Sequence, residues 1–512
     1  MIRKALQKYL LIAFCLCILL IYFISICNIN FSKNSGYYST DMYTDILYAQ
    51  EAWEHKSIFP EGWIFGNQLY AVATPVLAAL FYGILGDSVI AMGLASTCMG
   101  IFVLLSFDYM VKALFPDIKA RLLGAVLFMT GILMFGDPIH RTNGWQLLFT
   151  MCSFYACYAI TAFLTFGCYI RGKADKKHLF PLFLCCLLSF GTGLQSLRQT
   201  LIAICPLIGT ELICVFLRWR QRQAPFTQRT TVAALILSAN LLGVLLAILL
   251  NVPQVKIFGQ MGIVGLFTPV SGLKQSLGNA FSLIGITNPL SAIILGIGGI
   301  FVFFYLSFRF RKADKGCSLC ILLFVISLIG VLLLDAFTTM NIRSIYYFLL
   351  YPLIALGGIL IYTKGGQYLR YLAPILLIIL LISGAKEQLK PVFKPETQKN
   401  YDAVVDYLEA QGIDTVYSGW NRGEKLGIAS GGKVRCGFWD GPNEPFIPVK
   451  YLCNPEIFHT EPSRCAYVFF NSGEASIAVN AARAKGAPLK LLQYFPEENV
   501  FIYTADYNLM DK

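Results

Sequence analysis

The sequence predicts an all-α polytopic membrane domain of about eleven transmembrane helices followed by a small extracytoplasmic α/β domain. Three observations predict it. Of the 512 residues, 56% are hydrophobic and 14% charged, too little polar surface to keep a globule of this size in water. The apolar residues gather into runs of spanning length as far as residue 384. Beyond Gly384 the composition turns abruptly polar, which divides the chain into a membrane domain, 1–384, with a first outer loop at 29–87, and an outer domain, 385–512.

The chain opens with Met1-Ile2-Arg3-Lys4 and an apolar stretch from Tyr9 to Cys27 without a small-x-small cleavage site, so it reads as a retained anchor with its basic end in the cytoplasm. Apolar runs follow at roughly 88–111, 120–136, 146–170, 179–194, 199–217, 231–251, 288–308, 317–335, 345–362 and 371–384. The net charge of +12 is carried by short clusters between these runs, such as Arg171, Lys173, Lys176 and Lys177, or Arg218, Arg220, Arg222 and Arg229. Every second loop is basic, which makes those loops cytoplasmic and leaves no basic surface for nucleic acid. Counting Ala71 to Gly86 as a span would place every later cluster outside. That segment is therefore read as re-entrant or lying along the outer interface, and the odd number of spans puts the C-terminus outside.

In the outer domain the pattern gives a helix from Gln398 to Gln411 ended by Gly412, strands at Thr415 to Tyr417, Val434 to Gly437, Ala466 to Phe470 and Val500 to Tyr503, and a helix from Glu474 to Lys485. Most of the 16 cysteines lie in or beside apolar runs, where they act as small hydrophobes. Cys436, Cys453 and Cys465 belong to the outer domain, and a bridge between the last two suits an oxidising compartment.

Polar chemistry concentrates after the first span, in Tyr37-Tyr38-Ser39-Thr40-Asp41-Met42-Tyr43-Thr44-Asp45-Ile46-Leu47-Tyr48. On a helix, Asp41, Asp45 and Tyr48 share one face. Two carboxylates there serve either as a general base with a ligand for metal or substrate, or as ordinary solvated acids. Trp53, Ile58, Phe59, Trp63, Ile64 and Phe65 make the rest of the loop amphipathic, fit to anchor at the interface or to frame an opening for a lipid-linked substrate.

Other polar residues on the outer side are few: His140, Arg141, Gln195, Arg198, Lys256, Lys274, Asp335 and Arg343. Arg198 lies in a short turn, and Arg343 precedes Tyr346, Tyr347 and Pro352. A guanidinium fork suits a lipid phosphate, and pairing with Asp335 or a headgroup is the alternative for both. Lys256 and Lys274 sit in an outer loop of about 35 residues, long enough to close over a substrate. Glu211 and Asp108, within inner halves of spans, read as interhelical hydrogen-bonding groups, and His178 as a solvated loop residue. Phe438-Trp439-Asp440-Gly441-Pro442-Asn443 reads as a packed loop.

This arrangement resembles the GT-C class of membrane glycosyltransferases, the protein O-mannosyltransferase-like and aminoarabinose transferase-like enzymes. In that class a catalytic acid follows the first span directly, then come an amphipathic helix, a Pro-containing apolar interfacial helix and the second span. Here Asp41 or Asp45 looks like the acid, Tyr48-Ala49 to Trp53 like the first interfacial helix, and Pro75 to Gly86 like the second. Thr40-Asp41-Met42 and the Gly193 to Gln199 turn are similar to motifs of a less characterised branch, which favours Asp41. Arg343 with Tyr346, Tyr347 and Pro352 resembles the Arg-Tyr and Pro opening of a late span that faces lipid phosphate.

The resemblance implies a polyprenyl-phosphate sugar donor in the membrane, an acceptor hydroxyl and inversion at the anomeric carbon. Arg343, Arg198, Lys274 and Lys256 would hold the donor phosphate, and Tyr48, His140, Arg141, Gln195 and Tyr346 would contact substrate. The class's Asp-Glu pair is absent, since Met42 follows Asp41 and Ile46 follows Asp45, so a divalent cation has no clear ligand set. Phe438-Trp439-Asp440-Gly441 lacks the first Trp and the final Tyr of the Trp-Trp-Asp motif of oligosaccharyltransferases. Two rivals belong to other classes: a transporter, which calls for ionisable residues near mid-membrane, and a non-catalytic polysaccharide-assembly scaffold acting through its outer domain.

Overall fold

The computed structural model describes residues 2–33, 38–133, 136–137, 142–172, 178–253, 315–337, 347–364, 375, 378–379, 400–441 and 445–511. In chain order their helices are α1 (Ile2–Asn30), α2 (Thr40–Glu54), α3 (Thr74–Leu85), α4 (Ser88–Lys112), α5 (Ile118–Leu133), α6 (Gly144–Leu148), α7 (Ala156–Arg171), α8 (Leu179–Gln195), α9 (Cys205–Arg220), α10 (Gln228–Leu250), α11 (Lys315–Phe337), α12 (Leu350–Lys364), α13 (Asp402–Ala410), α14 (Glu424–Ala429) and α15 (Ser472–Ala484). Two short strands, β1 (Gly136–Asp137) and β2 (Thr142–Asn143), pair antiparallel. Five more are β3 (Thr415–Gly419), β4 (Arg435–Trp439), β5 (Cys465–Phe469), β6 (Lys490–Phe495) and β7 (Val500–Thr504). The chain divides into two compact units, one drawn from Met1–Ile26, Cys98–Asn251 and Lys256–Lys394, the other from Cys27–Thr97, Val252–Val255 and Pro395–Lys512. The first loop thus groups with the C-terminal domain.

Among the described residues, five helical stretches are long and apolar enough to cross a membrane: Tyr9–Asn30, Ser88–Lys112, Thr200–Arg220, Gln228–Leu250 and Gly316–Leu334. Shorter apolar helices occupy Thr74–Leu85, Ala156–Arg171, Leu179–Gln195 and Leu350–Lys364. The runs expected at 288–308 and, for the most part, 371–384 lie outside the described residues. One expectation is corrected. The run at 146–170 is not one helix, because Met151, Cys152 and Ser153 take left-handed backbone conformations and separate α6 from α7. The break is closed on itself, with the Tyr155 amide donating to the Leu147 carbonyl at 2.8 Å.

In the first unit, α8 and α10 approach until backbones touch. A Cβ on Gly243 would stand 2.0 Å from the Phe190 carbonyl oxygen, so only glycine fits. Asn240 locks the pair, donating to the Ser189 carbonyl at 3.1 Å and accepting from Thr200 Oγ1 at 2.9 Å. Glu211 and Asp108 do bond between helices. Glu211 accepts from Tyr169 and Thr230, each at 2.6 Å, and pairs with Arg218, while Asp108 pairs with Arg121.

In the second unit, the five-stranded sheet has the order β4-β3-β5-β7-β6, with β3 parallel to β4 and β5, and β7 antiparallel to β5 and β6. Tyr417, Trp439, Phe446, Phe458, Tyr467 and Phe469 form its core with the alanine face of α15. Sequence reading placed four of the strands and both longer helices; β6 and the six-residue α14 were missed. Phe438 and Trp439 are the end of β4, and Trp439 is 2% exposed, so the aromatic string is packed core. Cys436, Cys453 and Cys465 are free thiols, so the Cys453–Cys465 bridge that an oxidising compartment would allow is not formed. Their sulfurs turn to different carbonyls, those of Gly423, Val449 and Pro462, and burial pushes each thiol up to about 12.

The first loop is stitched into this unit. Ile64 forms a two-way backbone bridge, donating to Cys453 at 3.0 Å and accepting from Leu452 at 2.7 Å. The apolar segment that topology set aside is α3, opened by Pro75 and ended by Gly86 at φ 69°. Its 12 residues extend about 18 Å, too short for a bilayer core of about 30 Å. It packs on α2 through Gly83, against which the Trp53 ring lies, and leaves Leu80, Ile84 and Leu85 exposed, as an interfacial helix requires.

Candidate active site

Helix α2 starts at Thr40 because Ser39 caps it, its hydroxyl accepting from the Met42 amide at 3.4 Å and its carbonyl from Tyr43 at 3.0 Å. At 100° per residue the helix carries two stripes. Thr40, Tyr43, Gln50, Glu51 and Glu54 form one, and each bonds to the C-terminal domain. Tyr43 donates to the Val434 carbonyl at 3.2 Å, Gln50 to the Gly432 carbonyl at 2.9 Å, and Arg435 reaches Glu51 at 3.1 Å and Glu54 at 2.7 Å. Asp41, Asp45 and Tyr48 form the other stripe, as the spacing predicts.

The two acids of that stripe differ sharply. Asp41 is exposed in the first turn, where the helix dipole favours a carboxylate. Asp45, one turn deeper, is 3% exposed and accepts the Tyr70 hydroxyl at 2.5 Å. Burial raises its carboxyl to about 8; the Tyr70 bond opposes the shift and the nearby Asp41 charge adds to it. At neutral pH the Asp45 carboxyl therefore keeps its proton.

Tyr48 is fully buried and donates to the Ile58 carbonyl at 2.8 Å. Its ring meets Tyr70, Trp63 and Phe65 edge-on or tilted at 4.7, 5.6 and 5.8 Å, which places it in the aromatic cluster beside Asp45.

Thr40, directly before Asp41, is held from 381 residues away. Its amide donates to Asn421 Oδ1 at 3.3 Å, its Oγ1 accepts from the Asn421 amide at 2.7 Å, and its hydroxyl donates to Glu424 at 3.2 Å. Trp420 precedes Asn421, and its ring lies 6.1 Å from that of Tyr451. Tyr451 is 42% exposed, and its phenol is raised by burial and by the charges of Asp41 and Asp440. Tyr70, Asn421, Glu424 and Tyr451 were missed in the sequence. The one available signal was Thr40 itself, a hydroxyl beside an acid.

In the first unit, Gln195 is 2% exposed and donates to the Tyr158 hydroxyl at 3.1 Å. The half-buried Arg198 guanidinium lies 5.9 Å over the Tyr155 ring. The turn carrying it runs into a π-helical segment, Thr200–Ile204, before α9. His140, Arg141, Lys256, Lys274, Arg343 and Tyr346 lie outside the described residues, as does the side chain of Asp335. Among the described residues no group of three or more His, Cys, Asp or Glu is arranged to hold a metal ion.

The fold is that of the GT-C membrane glycosyltransferases, as the loop order of the sequence suggested. ArnT, the aminoarabinose transferase of Cupriavidus metallidurans, matches in its apo state with a TM-score of 0.54 at 12% identity over 100% of this chain and 99% of its own. The same protein bound to undecaprenyl phosphate matches with a TM-score of 0.52 at 10% identity, covering 97% of each chain. An oligosaccharyltransferase of Archaeoglobus fulgidus gives 0.47 at 12% identity over 96% of this chain and 74% of its own. No protein-family model and no curated protein sequence matches the chain.

Proposed function

We propose that this chain is a membrane glycosyltransferase that moves a sugar from a polyprenyl-phosphate donor to an acceptor hydroxyl on the extracytoplasmic side, with inversion. The observation that carries the reading is the Asp41–Asp45 pair, an exposed carboxylate at a capped helix start one turn from a buried, protonated one. Asp41 is the general base: it takes the acceptor proton as the acceptor oxygen bonds to the anomeric carbon and the lipid phosphate departs with the pair of electrons from the broken C–O bond. Asp45 keeps its proton and confines the negative charge to Asp41.

Two further features support the donor class. The ArnT structure of the same fold holds undecaprenyl phosphate. Arg198 is a half-buried guanidinium, suited to a phosphate, and Arg343, Lys256 and Lys274 are the other candidates from sequence.

The test is turnover of radiolabelled undecaprenyl-phosphate sugars by the purified full chain in nanodiscs. Asp41→Asn should lower the rate at least about a hundredfold, the usual worth of a positioned base. Undiminished transfer by that variant overturns the role given to Asp41.

A further inference from the structure

We propose that Glu424 is a positioning residue for Asp41: with Asn421 it grips Thr40, and its ionisation tightens the first turn of α2 on which Asp41 stands. The proposal rests on the catalytic reading of Asp41 for its consequence, while the grip itself is independent of any activity.

The geometry is a three-point hold on one residue. Helix starts leave amides without partners, and Thr40 is satisfied not within α2 but by the Asn421 side chain, at 3.3 Å. The Asn421 amide in turn donates to Thr40 Oγ1 at 2.7 Å, which fixes the hydroxyl so that its proton points to Glu424, 3.2 Å away. Asn421 adopts φ 61°, a left-handed conformation that asparagine tolerates better than other side-chain-bearing residues. Close packing keeps the grip from swinging. A Cβ on Gly427, in α14, would lie 2.3 Å from the Tyr43 ring one turn further along α2.

Glu424 is 3% exposed and burial raises it to about 7, so its charge changes in the physiological range. The groups facing it are Thr40, which bonds to it, the cations Lys425 and Arg422, which lower it, and Tyr401 and Cys436, both neutral near pH 7 and themselves raised by its charge. As Glu424 ionises, Thr40 donates to a carboxylate instead of a neutral acid, and a charge-assisted bond is about twice as strong. The first turn of α2 should thus be firmer above pH 7 than below it.

Amide hydrogen exchange of the full chain in nanodiscs, corrected for intrinsic pH dependence, reads this directly at Met42 to Asp45. The wild-type protein should show protection that rises severalfold across pH 6–8. Glu424→Gln, which keeps the shape and an acceptor oxygen, should hold the protection at its low-pH level at every pH. Glu424→Ala and Thr40→Val should each lose it about tenfold. Protection of β3 and β5, followed in the same spectra, reports whether a variant is folded, and Thr40→Ser restores the hold if the hydroxyl is what matters. An unchanged pH profile in Glu424→Gln overturns the proposal, as does full protection in Glu424→Ala. Failure of Asp41→Asn to lose turnover sinks the catalytic reading and leaves these exchange results standing.

Discussion

The Tyr70 hydroxyl donates to the Asp45 carboxyl at 2.5 Å, joining the irregular end of the first loop to the middle of α2. It is the polar bond that opposes burial at that carboxyl. Tyr70→Phe removes it and leaves the burial, so Asp45 should rise above about 8. The limb of the pH–rate profile that belongs to the Asp41–Asp45 pair should move to higher pH, measured as turnover between pH 6 and 10. A limb that stays in place detaches Asp45 from the reaction.

The same carboxyl makes the second unit sensitive to pH in a definite direction. Unfolded, Asp45 titrates near about 3.9; folded, near 8. Between those values the folded state holds a proton the unfolded state has lost, so stability is full at low pH and falls as pH rises through this window, by at most about 1.4 kcal/mol per pH unit. In global unfolding, which takes it out of burial, Glu424, raised to about 7, acts in the same sense over a narrower range; the Thr40 bond by itself lowers it, so its local effect at the start of α2 has the opposite sign. Asp45→Asn should therefore melt at higher temperature than wild type at pH 8 and at a similar temperature at pH 4.5, followed by thermal denaturation. A lower melting temperature at pH 8 contradicts a buried neutral Asp45.

How far the sequence exposed this site follows from the range of the forces involved. Spanning runs and the face shared by Asp41, Asp45 and Tyr48 depend on composition and helical period, which are local. The short α3 was legible because counting it as a span would put every later basic cluster on the outer side. The unequal ionisation of Asp41 and Asp45 was not, since it depends on Tyr70 and on an aromatic enclosure assembled from residues 48 to 70. The hold on Thr40 was least accessible, because Asn421 and Glu424 lie beyond the membrane domain and only the folded second unit brings them to the helix start. Likewise, no periodicity announces the left-handed run from Met151 to Ser153 that divides an otherwise continuous apolar segment.

Tyr451 should act on acceptor binding. Its ring is exposed, pairs with Trp420 and feels the Asp41 charge. Removing an aromatic face of this kind loses about 0.5–1.5 kcal/mol of contact. Tyr451→Ala should raise the acceptor KM about two- to tenfold with little change in kcat, in initial-rate measurements at varied acceptor. A fall in kcat at constant KM points instead to a role in the chemical step.

Arg198 should matter to the donor before any sugar moves. A half-buried guanidinium carried on a short turn and lying over the Tyr155 ring keeps its donors oriented, and a phosphate gains from two parallel N–H bonds that an ammonium cannot supply. Bonds to charged groups contribute about 1.5–3 kcal/mol, so Arg198→Ala should weaken undecaprenyl phosphate binding by about ten- to a hundredfold. Arg198→Lys keeps the charge but not the fork and should fall between the two. Equilibrium binding of the radiolabelled lipid phosphate to protein in nanodiscs measures this without any acceptor or sugar. Equal affinity across the three proteins removes Arg198 from the phosphate site and leaves that role to Arg343, Lys256 and Lys274.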